Sequence, residues 1–452
     1  MNCKKRMLSI TVATALLATA AVPALALENE FHGLFSARYI NSNFNGNVTT
    51  GNPVWGGDGQ YAPEGLTKNQ YSANFIEQRA RLQYIAKVSA DLKLVTHFEL
   101  DYTYWGNSSY VVGRKQGGAI GADSVNLETK SIYLDANPVK NVNVKLGMMP
   151  YNDAFKGVLF DADMAGALVS SSYNGFTPTI GFFRLNDKST TTTAPGTLGK
   201  KTRDLFVLDG KYSISKEFIV GGAYYHFGDD TPGNDAKVHV VGLNGEYGQG
   251  PLTLSGFFVY ETGKLNTLDV SSFAANAGAK YKAGPGTARA EFLYVSGDNG
   301  KPASTTNAFY SINGEHGYYN NEMVILGRDK NAYTTDNSII YNAGNKGQGQ
   351  IGGYLGYDLP VSDRLTTACN IGFAAVAKDN AAKPVNLKTG SANKSNYLGT
   401  EVNAEATYKL MENLTTSFRV GYVMLGDYYK DVAINGTPVN PYDAKLIFKY
   451  TF

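Results

Sequence analysis

The last eleven residues constrain the fold most. Tyr442, Ala444, Leu446, Phe448, Tyr450 and Phe452 alternate with Asp443, Lys445, Ile447, Lys449 and Thr451. A period of two sends these sets to opposite faces of an extended strand. The strand therefore has one apolar, aromatic face and one mostly charged face, and the two need different solvents. In a sandwich the apolar face would meet a second sheet. In a closed transmembrane sheet it would meet lipid, and the charged face would meet a water-filled lumen.

The same rhythm runs through the chain. Phe31, Gly33, Phe35, Ala37 and Tyr39 open it. Ile76, Ala80, Leu82, Tyr84 and Ala86 then alternate with Glu77, Arg79, Arg81, Gln83 and Lys87. Beyond a turn at Ser89-Ala90-Asp91, Leu92, Leu94, Phe98, Leu100, Tyr102 and Tyr104 alternate with Lys93, His97, Glu99 and Asp101. Strands of about 14 residues exceed the usual soluble length. They suit strands that run past a tilted membrane crossing of about 9–11 residues.

Connections decide between the two solvents. Short turns are expected at Asn137-Pro138, Ser215-Lys216-Glu217, Gly248-Gln249-Gly250, Gly284-Pro285-Gly286, Pro360 to Asp363 and Met411-Glu412-Asn413. Between them lie long polar connections at 106–126, 186–203, 262–271, 297–348, 378–396 and 428–441. A sandwich has no reason to alternate short with long, whereas a membrane barrel does. The pattern predicts an all-β fold: a transmembrane antiparallel β-barrel of about 18 strands, with 16 as the alternative, short periplasmic turns and long external loops. Closure pairs every backbone polar group inside lipid.

The N-terminus reads as an export signal. Lys4, Lys5 and Arg6 precede an apolar run from Leu8 to Val22, and Ala24-Leu25-Ala26 fits a small-x-small cleavage site. Residues 1–26 are thus expected to be a signal peptide, with 27–452 as a single barrel. Removing those three cations takes the formal charge from +2 to −1, so nothing points to nucleic acid. Cys369 is the one cysteine left, which excludes a disulfide framework or a cysteine metal site. No mature stretch offers about 18 consecutive apolar residues, so no spanning helix is expected. The 31 Tyr suit aromatic girdles at two membrane interfaces. About 425 residues are too many for one sandwich. No nucleophile elbow or zinc-protease helix motif is present, so neither an enzyme nor a cofactor is indicated.

The closing strand with its terminal Phe452 resembles that of bacterial outer-membrane β-barrels, where the signature is read by the insertion machinery. Phe31-His32-Gly33, the stretch Phe75-Ile76-Glu77-Gln78-Arg79-Ala80-Arg81-Leu82 and the segment Gly157-Val158-Leu159-Phe160-Asp161-Ala162-Asp163 resemble outer-membrane porins of metal-reducing deltaproteobacteria. The resemblance implies a trimeric channel in outer-membrane lipid that passes small hydrophilic solutes. It also brings in surface multihaem cytochromes as partners.

One segment differs from the other loops. From Met149 to Val169, Asp153, Lys156, Asp161 and Asp163 stand among Phe155, Val158, Leu159, Phe160, Met164 and Leu168. An amphipathic loop buries its apolar side. By strand count it is the third external loop, which in porins folds inward and narrows the barrel; a small helix capping the rim is the other reading. Folded inward, its acids would face a wall bearing Arg79 and Arg81 across a neck, and opposed charge rows sort solutes; Glu77 on the same wall is a further constriction candidate. The bland alternative is that such charges only solvate the wall. Lys280, Lys282, Arg289 and Arg419 are weaker lumen candidates. His97, Glu99 and Asp101 share a strand face, but a spacing of about 7 Å and no further ligand leave no metal site assigned. The expected function is passive diffusion of small hydrophilic solutes or ions. The alternative is a sheath around a cytochrome, which would need a clear lumen.

Overall fold

Alternation over this length closes into a barrel. The computed structural model describes residues 28–45, 72–107, 118–121, 127–188, 198–312, 319, 321–329, 331–333, 336–433 and 436–452, with backbone alone for 101–103. The expected signal peptide and Leu27 lie outside the described residues.

Eighteen strands form the wall. The first nine are β1 (Glu28–Ser42), β2 (Ala73–Ser89), β3 (Leu92–Tyr104), β4 (Leu127–Val139), β5 (Val142–Asn152), β6 (Asp161–Ser171), β7 (Phe176–Asp187), β8 (Thr202–Ser213) and β9 (Phe218–Asp229). The rest are β10 (Ala236–Gln249), β11 (Leu252–Leu265), β12 (Leu268–Ala283), β13 (Gly286–Val295), β14 (Gln350–Pro360), β15 (Leu365–Ala375), β16 (Tyr397–Met411), β17 (Leu414–Leu425) and β18 (Tyr442–Thr451). Each pairs antiparallel with its sequence neighbours, and β1 pairs with β18 from Leu34↔Thr451 to Ser42↔Asp443. Closure removes the edges that lipid could not satisfy. Thr305–Thr306 adds a short parallel rung beside β12.

Burial is inverted relative to a soluble protein. On β18, Asp443 and Lys445 are buried inside while Leu446, Phe448 and Tyr450 are exposed outside. Leu146, Leu243, Leu355 and Phe418 are each more than half exposed. An apolar outer face is stable because its solvent is lipid. Cys369 lies exposed on β15.

Eight turns of two to four residues close one end: 90–91, 140–141, 172–175, 214–217, 250–251, 284–285, 361–364 and 412–413. The other end carries the longer connections, including 43–72, 105–126, 188–201, 296–349, 376–396 and 426–441. Two expected connections shift. The turn expected at Asn137-Pro138 is at 140–141, where Asn141 takes φ 65; Pro138 falls within a register shift between Ala136 and Val139, where its missing N–H is tolerated. The long connection expected at 262–271 is a two-residue turn at 266–267. Its polar residues continue the strands beyond the apolar band, and Lys264 pairs with Asp269 across the register at 3.2 Å.

The seam between β1 and β18 depends on one glycine. Gly33 and Phe452 exchange backbone hydrogen bonds of 2.9 and 3.1 Å. The Phe452 ring covers Gly33, so any side chain there would overlap it, and Tyr450 stacks on the same ring at 5.6 Å. We expect Gly33→Leu to cost most of the heat-modifiable, folded barrel, read as the folded fraction on unboiled gels. Normal yield would show that the ring can move aside at no cost.

Candidate pore constriction

Loop L3, residues 153–160 between β5 and β6, is the third connection at the long-loop end. It lies inside the barrel. Phe155, Val158, Leu159 and Phe160 are at most 1% exposed. The inner wall opposite is itself apolar, with Phe183, Val207, Tyr225, Val240, Phe257 and Leu293 buried against the loop's cluster. Phe155 reaches across to β10, where a Cβ on Gly242 would collide with its ring. Its ring lies 5.7 Å from that of Phe257, and Phe160 lies 5.2 Å from Tyr225.

Polar ties hold the backbone in place. The Ala154 amide donates to the Tyr225 hydroxyl at 2.9 Å, and Asn244 Nδ2 donates to the Ala154 carbonyl at 3.1 Å. Lys156 spans to Glu291 on β13 at 2.8 Å. Asp153 organises the turn itself. Oδ1 accepts from the Phe155 and Gly157 amides at 2.6 and 2.9 Å, and Oδ2 from Leu159 and Phe160 at 2.7 and 2.9 Å. Burial pushes the Asp153 carboxyl up to about 6, against the pull of those four amides.

That shift has a sign. A folded-state value above the ordinary one means that the lodged loop binds the proton more tightly. The contribution is complete below about pH 4 and is lost as pH rises through about 6. Current fluctuations from L3 should therefore decrease, not increase, between pH 7.5 and 5. Asp153→Asn should remove that dependence. Fluctuations that grow in acid would contradict this assignment.

A second connection also folds in. Loop L7, residues 296–349 between β13 and β14, meets L3 directly. Ser311 Oγ donates to the Val158 carbonyl at 3.0 Å, and the Ile312 amide donates to Leu159 at 3.1 Å. Further along, Met323, Val324, Ile325 and Leu326 are buried against Ala374, Val423 and Tyr428. Glu401 on β16 accepts the amides of Val324, Ile325 and Leu326 at 2.6, 3.0 and 2.7 Å. Glu291 joins both loops, taking the Tyr319 hydroxyl of L7 as well as Lys156 of L3.

The acidic part of L7 docks on a basic wall. Asp336 lies 2.8 Å from Arg38 on β1 and 2.7 Å from Lys445 on β18. These cations hold its carboxyl well below the usual range despite burial. Asp329 pairs with Arg419 on β17, which also meets Glu405 at 2.5 Å. The guanidiniums of Arg38 and Arg79 stack on the Tyr333 ring at 3.8 and 4.0 Å. Removing one partner of such a buried pair costs about 3–5 kcal/mol. Beside this turn lies a cavity of about 400 Å³ lined by Arg38, Arg79, Arg81, Arg419, Lys449 and Glu405.

The sequence candidates are thus distributed as follows. Glu77, Arg79 and Arg81 face inward on β2: Glu77 pairs with Arg38, while Arg81 and Arg79 share Glu99, the latter at 3.6 Å. They face L7, not the acids of L3. Asp153 and Lys156 are in L3, but one is consumed by the loop's amides and the other by Glu291. Asp161 and Asp163 begin β6 on the face opposite buried Met164, and Asp163 meets Lys130 at 2.7 Å. They do not oppose Arg79 and Arg81, because the strand starts earlier than the amphipathic reading of 149–169 assumes. Arg289 lies 2.9 Å from Glu322 of L7 and 2.7 Å from Asp358. Lys280 and Lys282 lie on the same strand face near the short-turn mouth, opposite Arg289 and Thr287. Glu99 is occupied by arginines, and the Asp101 side chain is outside the described residues. Arg38, Lys445, Tyr333, Asp329, Asp336 and Glu401 were not foreseen as site residues.

A closed 18-strand barrel narrowed by inward loops is the architecture of outer-membrane porins. The chain is similar to a crystal structure of a BenF-like porin from Pseudomonas fluorescens (13% identity, 95% of this chain and 100% of that one, TM-score 0.55). It is also similar to OpdK of Pseudomonas aeruginosa with vanillate (12%, 94% and 98%, 0.55) and to OccAB4 of Acinetobacter baumannii (14%, 95% and 100%, 0.52). At these identities the likeness establishes the fold. No protein-family model and no curated protein sequence matches the chain.

Proposed function

We propose that this protein is a porin of the bacterial outer membrane, a water-filled channel for passive diffusion of small hydrophilic solutes and ions, and not an enzyme. One observation carries the reading: a lipid-compatible outer face encloses a charged lumen that L3 and L7 narrow from different walls. The wall supplies the hole and the loops set the size limit. The arginine-lined cavity favours anions, since guanidinium stays charged at any working pH. A structural neighbour solved with vanillate, a carboxylate, is consistent with that preference. Liposomes carrying the refolded protein should swell in small organic anions faster than in organic cations of equal size. Equal rates would remove the anion preference, and no swelling would remove the channel.

A sheath around a cytochrome is not favoured, because L3 and L7 occupy the space that it would need. The remaining parts of the reading rest on the sequence: the export signal on its own residues, the rest on family resemblance. Export would cut after Ala26, so N-terminal sequencing of the mature protein should begin at Leu27 or within a residue or two. Phe452 would serve as the assembly signal, and Phe452→Ser should impair insertion more than conduction. Homotrimer formation, kinship with deltaproteobacterial porins and contact with surface cytochromes belong to the same resemblance; crosslinking in native membranes tests the two associations.

A further inference from the structure

Two histidines stand side by side on the outer face of the barrel. His226 on β9 and His239 on β10 are directly opposite each other in the antiparallel register. Their neighbours Tyr225, Phe227, Val238 and Val240 are buried inside the barrel, so both imidazoles lie on the outer face. Their height is set by the rows around them. Tyr224 and Tyr260 lie one step toward the membrane centre, and Lys237 and Lys264 lie one step toward the long-loop end. The pair therefore sits at the outer water–lipid boundary, between the aromatic girdle and the first charged row.

The rings are 4.6 Å apart and inclined by 28°. His239 Nδ1 is 2.8 Å from the Tyr224 hydroxyl. His226 Nδ1 is shielded from solvent and has no hydrogen-bond partner. Space is open above the other nitrogen: a Cβ built on Gly228 finds only His226 Nε2 within 4 Å, at 4.0 Å. The flanking lysines have counter-ions, Lys237 with Asp235 at 3.7 Å and Lys264 with Asp269 at 3.2 Å.

We propose that His226 and His239 form a two-imidazole site for a borderline divalent transition ion, such as Cu²⁺ or Zn²⁺, on the outside of the barrel. Imidazole nitrogens suit these ions, whereas calcium and magnesium need oxygen donors. Bond lengths of about 2.0–2.1 Å are within reach of the two rings once they turn out of their near-parallel stack to aim both lone pairs at one ion. With His239 Nδ1–H donating to the Tyr224 oxygen, its Nε2 lone pair is free for the metal; a hydrogen bond of this kind fixes the ligating tautomer. Water, or a lipid phosphate, completes the coordination.

The test uses tag-free protein in detergent, titrated with Cu²⁺ alone and followed by electron paramagnetic resonance. One ion per barrel with a two-nitrogen hyperfine pattern is expected. His226→Ala and His239→Ala should each leave at most one nitrogen and weaken binding by more than about tenfold, the scale seen when a metal site loses support. His97→Ala, inside the lumen, should change nothing. Both substituted side chains face outward, and heat-modifiable migration verifies folding. A two-nitrogen signal that survives in the double variant, or its absence from the wild type, would overturn the proposal. Neither result depends on whether the barrel conducts.

Discussion

Removing residues 154–159 and joining Asp153 to Phe160 through a Gly-Gly link raises single-channel conductance several-fold. L3 carries Phe155, Val158 and Leu159 into the lumen and reaches Gly242 on β10 and Glu291 on β13. The gain is mainly steric and should persist at 1 M salt, where the Debye length falls to about 3 Å. The deletion must stop short of Asp161, because β6 begins there and pairs with β5 from Asn152↔Asp161 onward. Unchanged conductance in a folded barrel would mean that L7 alone sets the neck.

Replacing Arg79 and Arg81 together with Ser should shift permeability toward cations several-fold at about 0.1 M salt, where screening acts over about 10 Å. Two fixed positive charges are lost, and Glu99, which they share, becomes an uncompensated carboxylate. Both changes have the same sign. The Tyr333 ring also loses one of its two guanidinium contacts, so L7 should loosen. Arg81→Ser alone leaves that contact intact and gives the smaller, purely electrostatic shift. Reversal potentials in a salt gradient measure both. A shift toward anions, or one that is undiminished at high salt, would contradict the electrostatic account.

The architecture was legible because lipid and water impose one rule on every strand. The outward aromatics of β18 and the inward Glu77, Arg79 and Arg81 of β2 sit on the faces that a period of two assigns them. The inward L3 was legible for a different reason: apolar residues in a connection must be buried. The same signal was present in L7, where Met323-Val324-Ile325-Leu326 and Ile339-Ile340 interrupt a polar loop. What could not be read was circumference. Arg38 and Asp336 are 298 residues apart in sequence yet form one ion pair, because closure brings β1 beside β18 and L7 folds back to both. Alternation gives a residue's face, and says nothing of the strand that it will oppose across the lumen. Strand boundaries failed where polar residues continue a strand past the membrane, as at Lys264 and Asp269.

A loop-narrowed, arginine-lined neck should leave a water-filled path through the barrel. The most direct measurement is the single-channel current of the refolded, unmodified protein in a planar bilayer, with its reversal potential across a salt gradient. Discrete steps whose conductance rises with salt concentration, and a reversal potential on the anion side, are expected. Folded barrels that insert without current steps, or that conduct with a clear cation preference, would contradict it.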